Sequence, residues 1–313
     1  MIELLATVFS AAFFVTVIRT STPLLLATLG GLIADLSGAL NVALEGIMLV
    51  SCLTAVVVSV YAPWYVAVIA ALLAGAFLGS VMAFFHLRLK ADIVLVGFAI
   101  NIFADGATVF ALTLATGGDK GSSTNLISKP VPALDLSFLG MVPGVGGLLV
   151  RTLSGHSVLS WLAGLLVFVL WYFLYRTSWG LQLRSVGEHP SALEAAGVSA
   201  NALRGLSLVA SGALAGLAGA QLSMFNYVGF TRDMTAGRGF IALGAVLLGA
   251  RHPVGALLAA LLFGMFDALS VVMPGLFNWI PAELIRMIPF VVTIVALILF
   301  SYRMKLTSTT FDH

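Results

Sequence analysis

The sequence predicts an all-α polytopic membrane protein of about ten transmembrane helices, some short or broken, in two related halves. Two features of composition and one of patterning predict it. Of 313 residues, 60% are hydrophobic and 9% are charged, where a soluble domain carries roughly a quarter charged residues. The mean hydropathy is +1.11. The apolar residues also fall in runs of roughly 20, the length that crosses a bilayer core as a helix. The chain therefore reads as a single transmembrane domain over 1–313. Its net charge of +2 is too small to suggest a nucleic-acid partner.

On that ruler, spans fall near 3–18, 22–36, 41–60, 64–85, 92–114, 157–175, 205–225, 238–250, 253–273 and 283–302. The first carries Glu3 and no basic leader, so it is expected to stay rather than be cleaved. The second and eighth are short. Gly30-Gly31 and Gly237-Arg238-Gly239 interrupt or abut them, as breaks around a translocation pathway would. Eight spans plus re-entrant segments is the alternative. Residues 22–114 and 205–302 each hold four spans, one of them short and Gly-flanked, which suits two related halves. The spacings Gly75/Gly79 and Gly212/Gly216 let helices approach closely.

Orientation follows from Lys and Arg near span ends. With both termini cytoplasmic, the inner side receives Arg88, Lys90, Arg176, Arg184, Arg204, Arg251, Arg303 and Lys305. The other side receives Arg19, Lys120, Lys129, Arg151, Arg232, Arg238 and Arg286, so charge barely orients the chain. The loop 115–156, rich in Gly, Ser and Pro, lies outside in this scheme. It reads either as a docking surface for an extracytoplasmic binding protein or as a lid packed on the span ends.

Ionisable groups at membrane depth are costly unless they face a cavity or a partner. Ser37, Asn41 and Glu45 are spaced four apart and would share one face at the start of the third span. Asn41 could cap that helix, and Glu45 gains from its positive end. Asn101 and Asp105 repeat the spacing on the fifth span, and Asp267 lies on the ninth. Asn donates and accepts, and a carboxylate accepts from a diol, so Asn41, Glu45, Asn101 and Asp105 suit the path of a neutral polar solute. A polar network that only braces helices is the other reading, favoured for Asp267. Phe225, Tyr227, Phe230 and Phe240 could stack on a flat base, although interfacial belts explain most aromatics in such a chain.

No enzyme chemistry surfaces, and no cofactor or metal is expected. GGDKGSST at 117–124 is not a phosphate-binding loop, because Gly rather than Ser or Thr follows its Lys. The five histidines are scattered without metal-ligand spacing. Cys52 is the single cysteine, a small core residue by its apolar setting.

The one patterned polar stretch is 176–204, RTSWGLQLRSVGEHPSALEAAGVSANALR. Gly187 loosens the backbone, Pro190 suits a first helical turn, Ser191 to Ala196 are good helix formers, and Gly197 supplies a stop. The order Gly187, Glu188, Pro190, Ala195, Ala196, Gly197 resembles the coupling-loop signature of ABC importer permeases. The branch is that of ribose, branched-chain amino acid and nucleoside permeases. Residues 22–50 and 237–269 are similar to the first and last conserved blocks of the nucleoside type, and the likeness runs from Pro23 to Tyr302.

The resemblance implies a short cytoplasmic helix that fits a groove on a separate ABC ATPase subunit and transmits its stroke. It implies three protein partners: that ATPase, a second and longer permease, and an extracytoplasmic substrate-binding lipoprotein. It places the chain in the plasma (inner) membrane of a prokaryote, with nucleosides as the expected cargo. Simple sugars or nucleobases are the alternative cargo. An ion-coupled secondary carrier is the alternative class, though it has no need of such a loop.

Overall fold

This computed structural model describes residues 10–123, 126, 128–137, 150, 152, 154–276 and positions 287, 291, 292, 294, 295 and 298. Ten α-helices are named in chain order: α1 (Ala11–Leu36), α2 (Leu44–Tyr61), α3 (Trp64–Ala83), α4 (Ile93–Thr116), α5 (Val158–Arg176), α6 (Ser178–Glu188), α7 (Pro190–Ala195), α8 (Ala200–Gln221), α9 (Arg238–Leu248) and α10 (Pro253–Leu276). Single π-turns, Phe84–Arg88 and Leu222–Asn226, extend α3 and α8. Two-residue strands, β1 (Ala133–Leu134) and β2 (His156–Ser157), pair antiparallel. Seven of the described helices are long and apolar enough to cross a membrane, and α9 is a shorter apolar helix. The fold is thus an all-α multi-pass bundle, with the expected short eighth segment in place. The tenth expected span, 283–302, lies mostly outside the described residues.

From Ala11 onward, the first two expected spans are one helix. Arg19, Thr20, Ser21, Thr22 and Pro23 read as a break, yet α1 runs through all of them. A proline inside a helix strands the carbonyl four residues earlier, here that of Arg19. Asn226 at the end of α8 donates its side-chain amide to that carbonyl at 3.1 Å. The Arg19 guanidinium returns hydrogen bonds to the carbonyls of Phe225 (2.7 Å) and Asn226 (2.8 Å), and lies 5.1 Å from the Phe225 ring centre. Thr20 and Thr22 donate to Thr16 and Ile18 carbonyls within the helix. Of these residues Arg19, Thr20 and Thr22 have side-chain partners, and the carbonyl that Pro23 strands is answered by Asn226.

Gly30 and Gly31 do not break α1 either. A side chain on Gly30 would meet the Ser211 carbonyl oxygen of α8 at 2.7 Å, and one on Gly31 would meet Leu44 and Val246 at 3.2 Å. They are small because neighbours come close. The same holds where α3 crosses α8: a Cβ on Gly75 would lie 2.9 Å from the Gly216 Cα, and one on Gly79 would lie 3.1 Å from the Leu208 carbonyl carbon. There the expected close approach is found.

Fusion of the first two spans changes the parity. The Arg19 end of α1 sits at the Asn226 end of α8, and its Leu36 end sits against Gly187 in α6. Ser10 therefore lies at the end of the bundle opposite α6 and α7. Ten separate spans had put the N-terminal side of the chain on the same end as those helices. Both termini themselves lie outside the described residues.

Candidate functional site

Two regions carry the expected site residues. The first is the polar segment α6–α7. Thr177 caps α6, its hydroxyl accepting from the Gly180 N–H at 3.1 Å. Gly187 does not loosen the backbone. It is helical, and its bare face packs on the last turn of α1, where a Cβ would strike the Leu36 carbonyl and lie 3.2 Å from Gly38 N. Arg204 reinforces the contact by donating to the carbonyls of Ser37 (3.2 Å) and Val186 (3.4 Å). Glu188 ends α6 and is exposed.

Pro190 then opens α7 at its first position, as its missing N–H favours. Ala196 is the C-cap, and Gly197 turns the chain with φ +82°. No residue of α7 is buried, and Ala195, Ala196 and Gly197 are all exposed. Only Leu193 and Val198 anchor the segment, on a small cluster of Val186, Ala200 and Leu203. The result is a small, smooth helix standing off the bundle on a firm base.

Between α6, the end of α1 and the turn after α9 lies a cavity of about 430 Å³, lined in part by Asp35, Tyr175, Arg184, Glu188 and Arg251. Asp35 and Arg251 close one wall with an ion pair at 2.8 Å. Arg184 lies 4.7 Å from the Tyr175 ring centre.

The second region lies inside the bundle. Ser37, Asn41 and Glu45 do not share a helical face. Gly38 adopts φ +75° and ends α1, so residues 38–43 descend as an irregular strand before α2 begins. Ser37 meets Ser207 at 2.6 Å, and Asn41 donates to the Ser211 hydroxyl at 2.9 Å, one turn further along α8. Asn41 also accepts from the Ala43 N–H at 3.0 Å, and it is fully buried. Asn101 accepts from the Gly46 N–H at 2.8 Å and donates to the Val42 carbonyl at 3.0 Å. Both asparagines therefore satisfy backbone and side-chain groups around the irregular strand.

Glu45 is placed differently. Gly237, with φ +77°, and Gly239 open α9 inside the protein, and their N–H groups donate to the two carboxylate oxygens of Glu45 at 2.8 and 2.6 Å. A side chain on Gly239 would collide with the Glu45 backbone. One carboxylate thus closes the positive end of a half-length helix, where aligned peptide dipoles favour negative charge. Asp105 stands apart. It lies in the middle of α4 with 54% of its side chain exposed, and Arg232 reaches it at 4.0 Å.

Residues outside the expected set complete this region. Arg238 in the first turn of α9 pairs with Asp267 of α10 at 2.9 Å and donates to the Tyr227 hydroxyl at 3.4 Å. It is a mostly buried structural partner, not a loop charge on the outer side. Two lone opposite charges in apolar segments were the signal for that pair. Among the described residues, no group of three or more His, Cys, Asp or Glu could hold a metal ion.

The chain is 35% identical to NupQ of Bacillus subtilis, a guanosine ABC transporter permease, over 88% of each protein. It is 33% identical to NupC of Lactococcus lactis, a nucleoside ABC transporter permease, over 90% of this chain and 89% of that one. TsgC13 of Haloferax volcanii, named as a proposed glucose ABC transporter permease, is 34% identical over 84% of this chain and 78% of its own length. No solved structure matches the chain significantly. The family model described as branched-chain amino acid transport system / permease component matches residues 13–297, and the chain belongs to that family of ABC transport permeases.

Proposed function

We propose that this permease imports nucleosides, and that α6–α7 couples it to a separate cytoplasmic ATPase. The observation that carries the coupling reading is α7 and its end: none of its residues is buried, Ala195, Ala196 and Gly197 are exposed, and it is seated on a base tied to α1 through Gly187. A small exposed end, without bulky side chains at 195–197, is what a tight groove on a partner accepts. The cargo reading rests on the two nucleoside-type relatives matched over nearly their full lengths. With α7 cytoplasmic, the 115–156 loop and the Ser10 end of α1 face outward. There a substrate-binding lipoprotein would deliver the solute, and a second, unlike permease completes the pathway.

The same contacts supply a mechanical route. Motion of α6 bears on residues 36–38, which continue into the irregular strand 38–43. That segment leads into the first turn of α2, where the Glu45 carboxylate grips the open end of α9. The cavity beside α6 leaves it room to move without repacking the core. Asn41 and Asn101 serve this route by fixing that segment, whereas Asp105, exposed and loosely paired with Arg232, can meet solute.

The test is reconstitution with and without the cognate ATPase. Uptake should require it, guanosine should compete and glucose should not. Uptake driven by an ion gradient, with no ATPase present, would contradict the proposal.

A further inference from the structure

We propose that the cavity beside α6 binds a phosphomonoester from the cytoplasmic side, and that its occupant halts transport by filling the space α6 needs; this rests on the coupling reading above. The cavity measures about 430 Å³, within the roughly 300–1,000 Å³ of small-molecule sites. Its lining carries both signs of charge, Arg184 and Arg251 against Asp35 and Glu188. Arg251 is already paired: its Nε lies 2.8 Å from one Asp35 oxygen, and its Nη2 donates to the other at 3.3 Å. Arg184 is not. Its guanidinium is held over the Tyr175 ring, and its Nε is buried without a hydrogen-bond partner. Glu188 stands one turn further along α6, at a spacing that pairs such groups on a helix. Yet among the described residues no ion pair joins them, and Glu188 stays exposed.

A guanidinium held on an aromatic ring and short of an acceptor suits a phosphate, which its planar fork takes through two parallel hydrogen bonds. The exposed Glu188 carboxylate repels a bare anion but accepts from hydroxyls, which favours the ester of a polyol over inorganic phosphate. Two sources carry that chemistry: a nucleoside phosphorylated after entry, and the headgroup of phosphatidic acid. Position gives the consequence. Gly38 and Gly187 line the same cavity, and their contact is where α6 bears on the end of α1. An occupant held by Arg184 on α6 and packed against the Arg251 turn fixes α6 relative to α1 and α9, and close-packed interiors leave it no other space. A soluble ester would make the site a brake, set by the phosphotransfer reaction that consumes the imported nucleoside.

The experiment uses the complete complex, both permeases and the ATPase, in nanodiscs for binding and in proteoliposomes for uptake. The probes are radiolabelled guanosine 5′-monophosphate and, separately, phosphatidic acid in the bilayer, with guanosine and inorganic phosphate as controls. Parent and Arg184→Gln complexes share the same ATPase sites, so the difference between them reports the cavity. One probe should bind the parent and bind Arg184→Gln roughly tenfold or more weakly, with Arg184→Lys between the two. The same probe on the ATPase side should lower parent uptake about fivefold or more, each complex being compared with itself without probe. The probe that does so identifies the source. Equal binding by parent and Arg184→Gln, or equal inhibition by the controls, would overturn the proposal. So would an Arg184→Gln permease pair that purifies without its ATPase, which would give Arg184 to an acidic side chain of that partner. If that pair does not assemble at all, Arg184→Lys and the parent still decide. A parent that transports but binds neither probe removes the site and leaves the coupling reading standing; one that neither holds an ATPase nor transports removes that reading.

Discussion

Glu45→Gln separates a residue that positions a helix from one that meets solute. The amide keeps the shape and one oxygen, but its NH₂ must face one of the two N–H donors of Gly237 and Gly239. That leaves a donor unsatisfied, at a cost of about 1–3 kcal/mol. Loss of the charge at the start of α9 adds ~0.3–2 kcal/mol. The expected total is about 1–5 kcal/mol, read as a lower melting temperature of the purified protein in detergent or nanodiscs. Asp105→Asn is the control, since an exposed and loosely paired carboxylate contributes at most about 1 kcal/mol. It should melt like the parent yet transport poorly, whereas Glu45→Gln should melt lower. A Glu45→Gln protein that melts with the parent but has lost uptake would refute the bracing role and return Glu45 to the solute path.

Ala196→Arg should abolish uptake and substrate-stimulated ATP hydrolysis while leaving the chain in the membrane; normal uptake would remove α7 from the coupling role. Gly212→Leu should destabilise the bundle by about 1–3 kcal/mol or more through overpacking at the α3–α8 crossing, seen in the yield and melting of the purified protein. Cysteines in a Cys52→Ala background should divide by side, with Ser191→Cys labelled from the cytoplasm and Ala12→Cys and Lys120→Cys from outside. Lys120 serves better than Ser123, which is buried with its hydroxyl on the Phe230 N–H. Labelling of Ala12→Cys from the cytoplasm would contradict the parity given by a continuous α1.

Hydropathy located most spans to within a few residues, because length and apolarity are written locally. The short α7 was equally legible: Pro190 and Gly197 are punctuation whose meaning does not depend on distant residues. What failed was inference that required knowing a neighbour. Arg19 and Pro23 look like a break until Asn226, far along the chain, supplies the missing donor. Spacing of four between Ser37, Asn41 and Glu45 looks helical until Gly38 takes a left-handed turn and α8 offers serines at matching intervals. Arg238 counted as an outer charge because nothing in its own segment announces Asp267. Asn41, Glu45, Asn101 and Asp105 were grouped by chemistry alone. The structure parts them into three that hold backbone or side-chain groups and one, Asp105, that is half exposed and loosely paired with Arg232.

The bond between Asn226 and the Arg19 carbonyl spans 207 positions of sequence, and that distance is also a delay. When α1 emerges from the ribosome and enters the bilayer, its proline has already stranded a carbonyl and its arginine already needs acceptors. The groups that answer them have not been translated. Until residue 226 arrives, the first helix must sit beside the translocon or keep its polar end near water. Insertion of this chain is therefore provisional at its start and completed late, by the segment that ends α8. A ribosome-stalled chain cut after Gln221 should leave α1 accessible to aqueous labels at Thr20→Cys, and one long enough to present both Phe225–Asn226 and Gly264, whose carbonyl the Thr20 hydroxyl meets at 2.8 Å, should protect it.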